Sequence, residues 1–228
     1  MTVIDLKKHD YITDFMDPPP MPDFQKAALM IIDMQYATGS PEGALGRKLK
    51  AEGNEIYQLR FGRITNVVVP NITRLLTAFR RKNGKIIYTR NTAQKQDASD
   101  CPRHVRKLFR ETGNYAGSRE NEIIDELKPL PNEYVVDKTT VGAFASTNIH
   151  VLLTAIGAEQ LFFTGVSTNI CVDTTARGAA DRGFVCALVD DACGAPRPEY
   201  HDAAITSFQR LFGGVLSTDK VLKELGLA

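Results

Sequence analysis

Short apolar segments alternate with longer amphipathic segments from Ala27 onward. Six of the short segments are rich in β-branched residues and predict strands, with the sequences ALMIID, KIIYTR, EYVVDK, QLFFTGV, FVCALVDD and GGVLST. Between them, the periodicity predicts helices at residues 64–82, 120–127, 148–156, 170–182, 198–212 and 218–225. This alternation is typical of a mainly parallel sheet with helices on both faces. We therefore expect an α/β fold with three layers, α/β/α.

Three glycines follow predicted helices directly. Gly84, Gly157 and Gly183 each stand just past the last periodic residue. The left-handed backbone of a helix C-terminal cap favours glycine, so these positions are predicted caps.

The first 26 residues differ from the rest of the chain. They are polar and contain the run Pro18–Pro20 and Pro22, which favours extended backbone. We predict an extended N-terminal arm over residues 1–26 and a single domain over residues 27–228, a length that one core can serve. The arm could cover its own domain or contact a sister subunit. We expect the second, in a homo-oligomer that is a dimer or a tetramer.

Residues 38–63 directly follow the first predicted strand and are rich in glycine and charge. Two interpretations remain open for them. They form either a solvated helical hairpin on the surface or a lid over a site at the end of that strand.

The charge balance narrows the classes of partner. The 228 residues include 28 lysines and arginines against 27 aspartates and glutamates, which predicts no basic surface for nucleic acid or an anionic membrane. No apolar run reaches the roughly eighteen residues of a membrane span, and the first residues lack the order of a secretory signal. Four cysteines without C-x-x-C spacing favour a reducing, cytoplasmic location. A small molecule is the expected partner.

Three chemically complementary side chains lie at predicted strand ends. Asp33 closes the first strand, Lys138 closes the third, and Cys171 follows the fourth. Each alone has an ordinary structural explanation: a loop cap, a solvated lysine, a buried cysteine. Ligands of open parallel sheets bind beyond the carboxyl ends of the strands. The three together therefore indicate an acid/base, a cation and a nucleophile around one site.

Cys171 follows a strand end, TGVSTNI, that turns into a helix predicted from Ile170. The positive end of the helix dipole should lower the pKa of its thiol. The other cysteines have no such turn and are expected to be structural, namely Cys101, Cys186 and Cys193.

Three stretches resemble the signature of the isochorismatase-like cysteine hydrolases. They are ALMIIDMQ at 28–35, VVDKTTVGAFASTNIHVLL at 135–153 and FFTGVSTNICVDTTARGAADRGFVCALVDDACGA at 162–195. With the alternating core, the resemblance covers about residues 27–222.

The resemblance implies an isochorismatase-like, Rossmann-like topology with six mainly parallel strands. It also implies a catalytic triad that falls on Asp33, Lys138 and Cys171. A cis peptide bond is implied between Val166 and Ser167, and the backbone N–H groups of Ser167 and Cys171 would form the oxyanion hole.

The implied activity is that of a cysteine amidohydrolase. Cys171 attacks the carbonyl carbon of a small amide, Asp33 exchanges the protons, and Lys138 stabilises the charges. A thioester forms and is hydrolysed, with release of ammonia or an amine. No cofactor is required.

The loop after the second strand, TRNTAQKQDASD, lacks the histidines that nicotinamidases usually carry there as a metal site. The four histidines of the chain are scattered without ligand spacing, so we expect no metal. The segment GAFASTNIHVLL resembles the carbamoyl and ureido branch of the family, which predicts a carbamoyl or ureido amide as substrate. The candidate substrate contacts are Tyr36, Arg90, Asn91, Phe144 and Thr168.

Two of these contacts have a second interpretation. Arg90 could clamp a substrate carboxylate through two parallel hydrogen bonds, or it could be a surface arginine that closes its strand. Phe144 could line a pocket or belong to the core.

Three other functions stay open. The same site could hydrolyse an isochorismate-like vinyl ether by acid catalysis, which needs Asp33 and tolerates loss of Cys171. A nicotinamidase-like amidase is a second alternative. The third is a non-catalytic scaffold that retains the triad as a relic.

Overall fold

The computed structural model describes Ile12 and residues 20–228 of the chain. Most of the predicted N-terminal arm, residues 1–11 and 13–19, lies outside the described residues. The last part of the arm is held on its own domain, because Gln160 donates to the carbonyl of Met21 (3.0 Å) and accepts from the N–H of Asp23 (2.8 Å). Contact of the arm with a sister subunit stays a prediction.

A single six-stranded sheet lies at the centre of the fold. Its strands are β1 (Ala27–Ile32), β2 (Lys85–Asn91), β3 (Tyr134–Lys138), β4 (Gln160–Val166), β5 (Val185–Gly194) and β6 (Gly214–Leu216). Their order across the sheet is β3-β2-β1-β4-β5-β6, and every neighbouring pair is parallel. The six predicted strands and the mainly parallel sheet are therefore confirmed. The direction of winding reverses between β1 and β4, where ligand sites of such sheets form.

Nine α-helices connect and cover these strands in residues 20–228. They are α1 (Tyr36–Gly39), α2 (Ala44–Ala51), α3 (Ile56–Arg63), α4 (Val69–Arg81), α5 (Arg103–Thr112), α6 (Ile149–Ala155), α7 (Asp173–Ala180), α8 (Pro198–Leu211) and α9 (Thr218–Glu224). A π-helical turn, Ile64–Val68, joins α3 to α4, and a second one, Thr168–Val172, leads into α7. Within this part of the chain no helix has the length and apolarity to cross a bilayer.

The helix predicted at residues 120–127 is wrong. This segment forms two short 3-10 turns, Arg119–Asn121 and Asp125–Leu127. Between them Ile123 bridges to Gln35 in antiparallel fashion, and this tertiary pairing replaces helical hydrogen bonds. Conversely, the sequence interpretation missed α5, although Val105, Leu108 and Phe109 recur there at helical spacing.

The core has one layer on each face of the sheet, as the alternation of β1 shows. Leu29 and Ile31 face a cluster that includes residues of α4 and α9, whereas Met30 and Ile32 face a cluster with residues of α6, α7 and α8. Because both faces are covered, every residue of β1 is buried. The predicted three-layer α/β/α arrangement is confirmed.

Two of the three predicted glycine caps have the expected backbone. Gly157 (φ 65°) and Gly183 (φ 87°) are left-handed, but after α4 the left-handed residue is Asn83 (φ 54°) and not Gly84. Gly84 serves close packing instead, because a Cβ there would lie 2.8 Å from the rings of Phe24 and Phe79.

Gly165 allows β4 to pass close to β1 beside the site. Its φ is 105°, and a Cβ at this position would lie 2.1 Å from the carbonyl oxygen of Ile32. Gly165→Ala is expected to lower the free energy of unfolding by roughly 3 to 5 kcal/mol, from backbone strain and overpacking. Urea denaturation measures this loss. Gly62→Ala, in α3 with nothing within 4 Å of the added carbon, is the matched control and should be neutral or stabilising.

Candidate active site

The three predicted catalytic side chains meet at the carboxyl edge of the sheet. Asp33 directly follows β1, Lys138 is the last residue of β3, and Cys171 lies in the π-helical turn after β4. All three are buried, with relative exposures of 3%, 0% and 9%. The structure therefore brings together the acid/base, the cation and the nucleophile that the sequence predicted to be neighbours.

Asp33 and Lys138 form a buried ion pair. The Nζ of Lys138 lies 2.7 Å from Oδ2 of Asp33, and the hydroxyl of Thr89 donates to Oδ1 at 2.7 Å. Lys138 also donates to the carbonyl of Thr140 at 3.2 Å. The backbone of Asp33 is left-handed (φ 52°), a conformation that costs free energy in residues other than glycine and that concentrates at functional sites.

The pleat of β2 decides which of its residues face the triad. Thr89 and Asn91 point to the site: the first bonds Asp33, and the amide nitrogen of the second lies 3.8 Å from Sγ of Cys171. Arg90 points to the opposite face, because successive side chains of a strand alternate. There both of its hydrogen bonds, 2.6 and 2.9 Å, go to Asp137. The predicted contact of Asn91 with substrate keeps its basis, whereas Arg90 is not brought to the triad.

The other two predicted substrate contacts on the periphery have partners of their own. The ring of Tyr36 lies 3.8 Å below the guanidinium of Arg119, and its hydroxyl accepts from the N–H of Asp125. Phe144 packs beside Phe184 and under the guanidinium of Arg182. The core interpretation of Phe144 thus fits its surroundings, and a substrate role for either ring stays a prediction.

The nucleophile turn begins at the peptide bond between Val166 and Ser167, which is cis. The carbonyl of Ser167 accepts from the N–H groups of Ile170 and Val172 (3.0 and 3.2 Å), which fixes the turn that carries Cys171. An oxyanion hole at the N–H groups of Ser167 and Cys171 stays a prediction.

Burial raises the pKa of the Cys171 thiol to about 12, and the nearby Asp33 carboxylate adds to this rise while Lys138 opposes it. The expectation of a lowered pKa is therefore wrong for the resting site. Complete burial can raise a pKa by several units, whereas a helix terminus contributes about 1 kcal/mol, less than one unit. The thiol is protonated at neutral pH until a neighbouring base removes its proton.

Alkylation measures this protonation state directly. At neutral pH we expect iodoacetamide to modify Cys171 in the folded protein at least about 100-fold more slowly than in urea, with a rate that rises with pH towards about 12. Mass spectrometry of the Cys171 peptide gives the rate, and Cys171→Ala protein corrects for the other cysteines. A rate that levels off near neutral pH would show a thiolate in the resting enzyme.

The sequence interpretation missed a buried histidine behind the nucleophile turn. The Nδ1 of His201 lies 2.8 Å from the hydroxyl of Thr168, and its Nε2 lies 2.7 Å from Oδ1 of Asp190. Thr168 is fully buried and neighbours Ser167. His201 therefore positions the turn, although the spacing of the four histidines gave no sign of it.

Two arginines of α3, one turn apart, also reach this region and were missed. Arg60 donates to Oγ of Ser167 (2.8 Å) and to the carbonyl of Thr38, while Arg63 donates to the carbonyls of Cys193 and Asp190. Residues 38–63 are thus tied to the site by side chains, and α3 continues through the π turn into α4. The two helices α2 and α3, joined by exposed residues, have the form of the predicted helical hairpin. The side-chain contacts also fit a cover over the site, so a lid stays a prediction.

The described residues also allow metal-binding groups and clefts to be compared with the position of the triad. Residues 20–228 hold no group of three histidine, cysteine, aspartate or glutamate side chains that could bind a metal ion. A cleft of about 580 Å³ between α4 and α9 contains none of the triad residues.

Fold and site together define an α/β protein of the isochorismatase-like cysteine hydrolase class. The isochorismatase domain model matches residues 27–220. The chain belongs to the isochorismatase family, which confirms the resemblance seen in its three motifs.

Several known proteins are similar to this chain. Ureidoacrylate amidohydrolase RutB from Acinetobacter baylyi is 29% identical over 209 residues, which is 85% of this chain and 81% of that protein. The crystal structure of a cysteine hydrolase from Pseudomonas syringae pv. phaseolicola has a TM-score of 0.76 at 24% identity, covering 92% of this chain and 99% of that one. N-carbamoylsarcosine amidase from Thermoplasma acidophilum has a TM-score of 0.63 at 26% identity, covering 85% and 97%. These similarities support the amidohydrolase branch of the family.

Proposed function

We propose that this protein is a cysteine amidohydrolase that cleaves the C–N bond of a small carbamoyl or ureido amide through a thioester on Cys171. One observation carries the proposal: a buried Asp33–Lys138 pair, 2.7 Å apart, lies close enough to the buried Cys171 thiol to interact with it by charge. The family, and the amidohydrolase names of two relatives, support the same bond type.

The first chemical step forms the bond between sulfur and carbon. Asp33 takes the proton of the Cys171 thiol as the sulfur attacks the carbonyl carbon, so negative charge moves from the Asp33 carboxylate to the carbonyl oxygen. The backbone N–H groups of Ser167 and Cys171 would stabilise that oxyanion. The ammonium of Lys138, 2.7 Å from Asp33, stabilises the anionic groups at each stage.

The second step breaks the C–N bond and releases the amine. The oxyanion collapses, the C–N electron pair goes to nitrogen, and Asp33 returns its proton to that nitrogen. A water molecule then loses a proton to Asp33 as its oxygen attacks the thioester carbon. The C–S bond breaks, and the sulfur regains the proton from Asp33, which restores the resting enzyme.

Ammonia release from a panel of small amides tests this function. The panel contains N-carbamoyl amino acids, ureidoacrylate, biuret and nicotinamide. We expect ureido compounds to turn over, and Cys171→Ala to lower kcat by at least about 1000-fold because the covalent route is lost. Cys186→Ala is the matched control, since this buried cysteine lies at the start of β5 and not at the carboxyl edge.

Each outcome separates the open functions. Wild-type release of ammonia by Cys171→Ala would contradict a thioester. Cleavage of a vinyl ether by both the wild type and Cys171→Ala would favour acid-catalysed ether hydrolysis, which needs Asp33 and tolerates loss of Cys171. No release of ammonia from any amide would contradict the amidohydrolase proposal itself.

A homo-oligomer in the cytoplasm also belongs to the proposal. Tyr134 and Val135 on the edge strand β3, and the nearby Leu130, expose apolar side chains that a second copy could cover. Light scattering of the purified protein should give the mass of a dimer or tetramer, and a monomer would contradict this part.

A further inference from the structure

Arg60 is a buried cation without a carboxylate partner. Its relative exposure is 4%, and among the described residues no aspartate or glutamate lies within ion-pair distance of its guanidinium. Its hydrogen bonds go to the carbonyl of Thr38, from Nε (3.1 Å) and Nη2 (2.8 Å), and to Oγ of Ser167, from Nη1 (2.8 Å). Buried charges are ordinarily paired, so this exception leaves Arg60 open to a negative charge from outside the described residues, such as that of a ligand.

The three cationic side chains near Cys171 differ in whether a carboxylate lies close to them. Lys138 is paired with Asp33 at 2.7 Å, and Arg63 has Asp190 at 4.0 Å. Arg60 has no such carboxylate and lies close enough to Cys171 for the two to interact by charge. The described site therefore carries a surplus of positive charge beside the nucleophile.

The resting thiol does not supply the missing charge. Desolvation lowers the pKa of Arg60 to about 10, so the guanidinium is still protonated at neutral pH. Burial keeps Cys171 protonated at the same pH, because its pKa is raised to about 12. A cation therefore faces a neutral thiol before substrate enters.

The donors of Arg60 fit a carboxylate. Three of its five N–H groups are used by Thr38 and Ser167, which leaves one on each terminal nitrogen within the described chain. Two such N–H groups on adjacent nitrogens match the two oxygens of a carboxylate.

The side-chain amide of Asn91, beside Cys171, could bind the ureido end of a ligand whose carboxylate is bound by Arg60. The Oδ1 of Asn91 is buried and has no hydrogen-bond partner among the described residues, while its Nδ2 lies 3.8 Å from Sγ of Cys171. An unpartnered buried carbonyl oxygen calls for an N–H donor. A ureido group provides N–H donors, and its carbonyl carbon is the atom that Cys171 would attack.

We infer that Arg60 binds the carboxylate of the substrate, so that the enzyme selects ureido acids, with a carbamoyl nitrogen at one end and a carboxylate at the other, over neutral ureas. This inference rests on the proposed amidohydrolase function and narrows its substrate class. Because Arg60 lies within residues 38–63, the inference gives this segment a direct part in recognising substrate.

Matched acids and neutral ureas test the inference. The acids are ureidoacetate and ureidopropionate, and their neutral counterparts are hydroxyethylurea and hydroxypropylurea. We expect the wild type to favour the acids in kcat/KM, and Arg60→Gln to reduce that preference roughly 10- to 100-fold, mainly through KM, because it removes a charge-assisted bidentate contact. Circular dichroism confirms that the variant is folded.

Two further variants make the test specific. Arg63→Gln changes the same face of α3 one turn later and should leave the ratio between acids and neutral ureas unchanged. Arg60→Lys keeps the charge without the planar fork and should lose about 3- to 10-fold of the preference. If Arg60→Gln does not fold, the change in preference of Arg60→Lys is the measurement that tests the inference.

The outcomes separate this inference from the proposed function. Equal loss for acids and neutral ureas in Arg60→Gln would overturn the inference and make Arg60 a positioning residue of the nucleophile turn. A wild type without preference for acids would overturn it too. If no urea is hydrolysed at all, calorimetry compares the binding of ureidopropionate to Cys171→Ala and to the double variant Cys171→Ala/Arg60→Gln. Tenfold weaker binding to the double variant supports the inference, and unchanged binding overturns it.

Discussion

Replacing Asp33 with asparagine is expected to lower kcat on the best ureido substrate by at least about 1000-fold. The amide cannot take the proton of Cys171 or return it to the leaving nitrogen, and general acid–base catalysis alone contributes 100- to 10,000-fold. Asparagine is the suitable substitute because Asp33 has a left-handed backbone, which asparagine tolerates better than most residues. Steady-state ammonia release measures the loss.

Asp137→Asn is the matched control for this variant. Asp137 precedes Lys138 on β3, and its carboxylate pairs with Arg90 on the opposite face of the strand. This control should keep activity within a few-fold of the wild type. Activity above about a tenth of the wild type in Asp33→Asn would remove Asp33 from the proton transfers.

Replacing Lys138 with methionine is expected to destabilise the protein by about 3 to 5 kcal/mol and to abolish turnover. The side chain of Lys138 is fully buried, so its removal leaves the Asp33 carboxylate without its cation in a dry site. Urea denaturation gives the free energy of unfolding, and ammonia release gives the activity.

The double variant Asp33→Asn/Lys138→Met separates stability from chemistry. Removing both charges leaves no buried unpaired ion, so most of the lost stability should return while turnover stays absent. If the double variant is as unstable as the sum of the single ones, the two residues are not coupled as the 2.7 Å pair indicates.

The strands and the triad could be predicted because local signals specify them. Both faces of the sheet are covered, so central strands such as β1 are continuous apolar runs. Asp33 directly follows β1, and Lys138 is the last residue of β3. The alternation of side chains along β2 could also have shown that Arg90 and Asn91 do not both face the site, since adjacent residues of a strand face opposite sides.

The places of Arg60 and His201 in the site could not be predicted, because they depend on contacts with residues far away in the sequence. Arg60 is 107 residues from its partner Ser167, and on a polar helix it looks like any solvated arginine. His201 is 33 residues from Thr168 and lies on α8 without ligand spacing. The helix wrongly expected at 120–127 has a similar origin, because the long-range bridge between Gln35 and Ile123 overrides the local pattern. The helix at Arg103–Thr112 could have been predicted, since Val105, Leu108 and Phe109 have helical spacing.

The position of Lys138 links catalysis to the least protected part of the sheet. β3 is an edge strand that pairs with β2 alone, and its first residues are exposed to solvent. Edge strands open more readily than central ones, and local opening needs less free energy than global unfolding. Fraying of β3 would withdraw the ammonium from Asp33 while the other five strands remain paired. We therefore expect the proposed activity to be lost through local opening of β3, at a smaller cost in free energy than global unfolding.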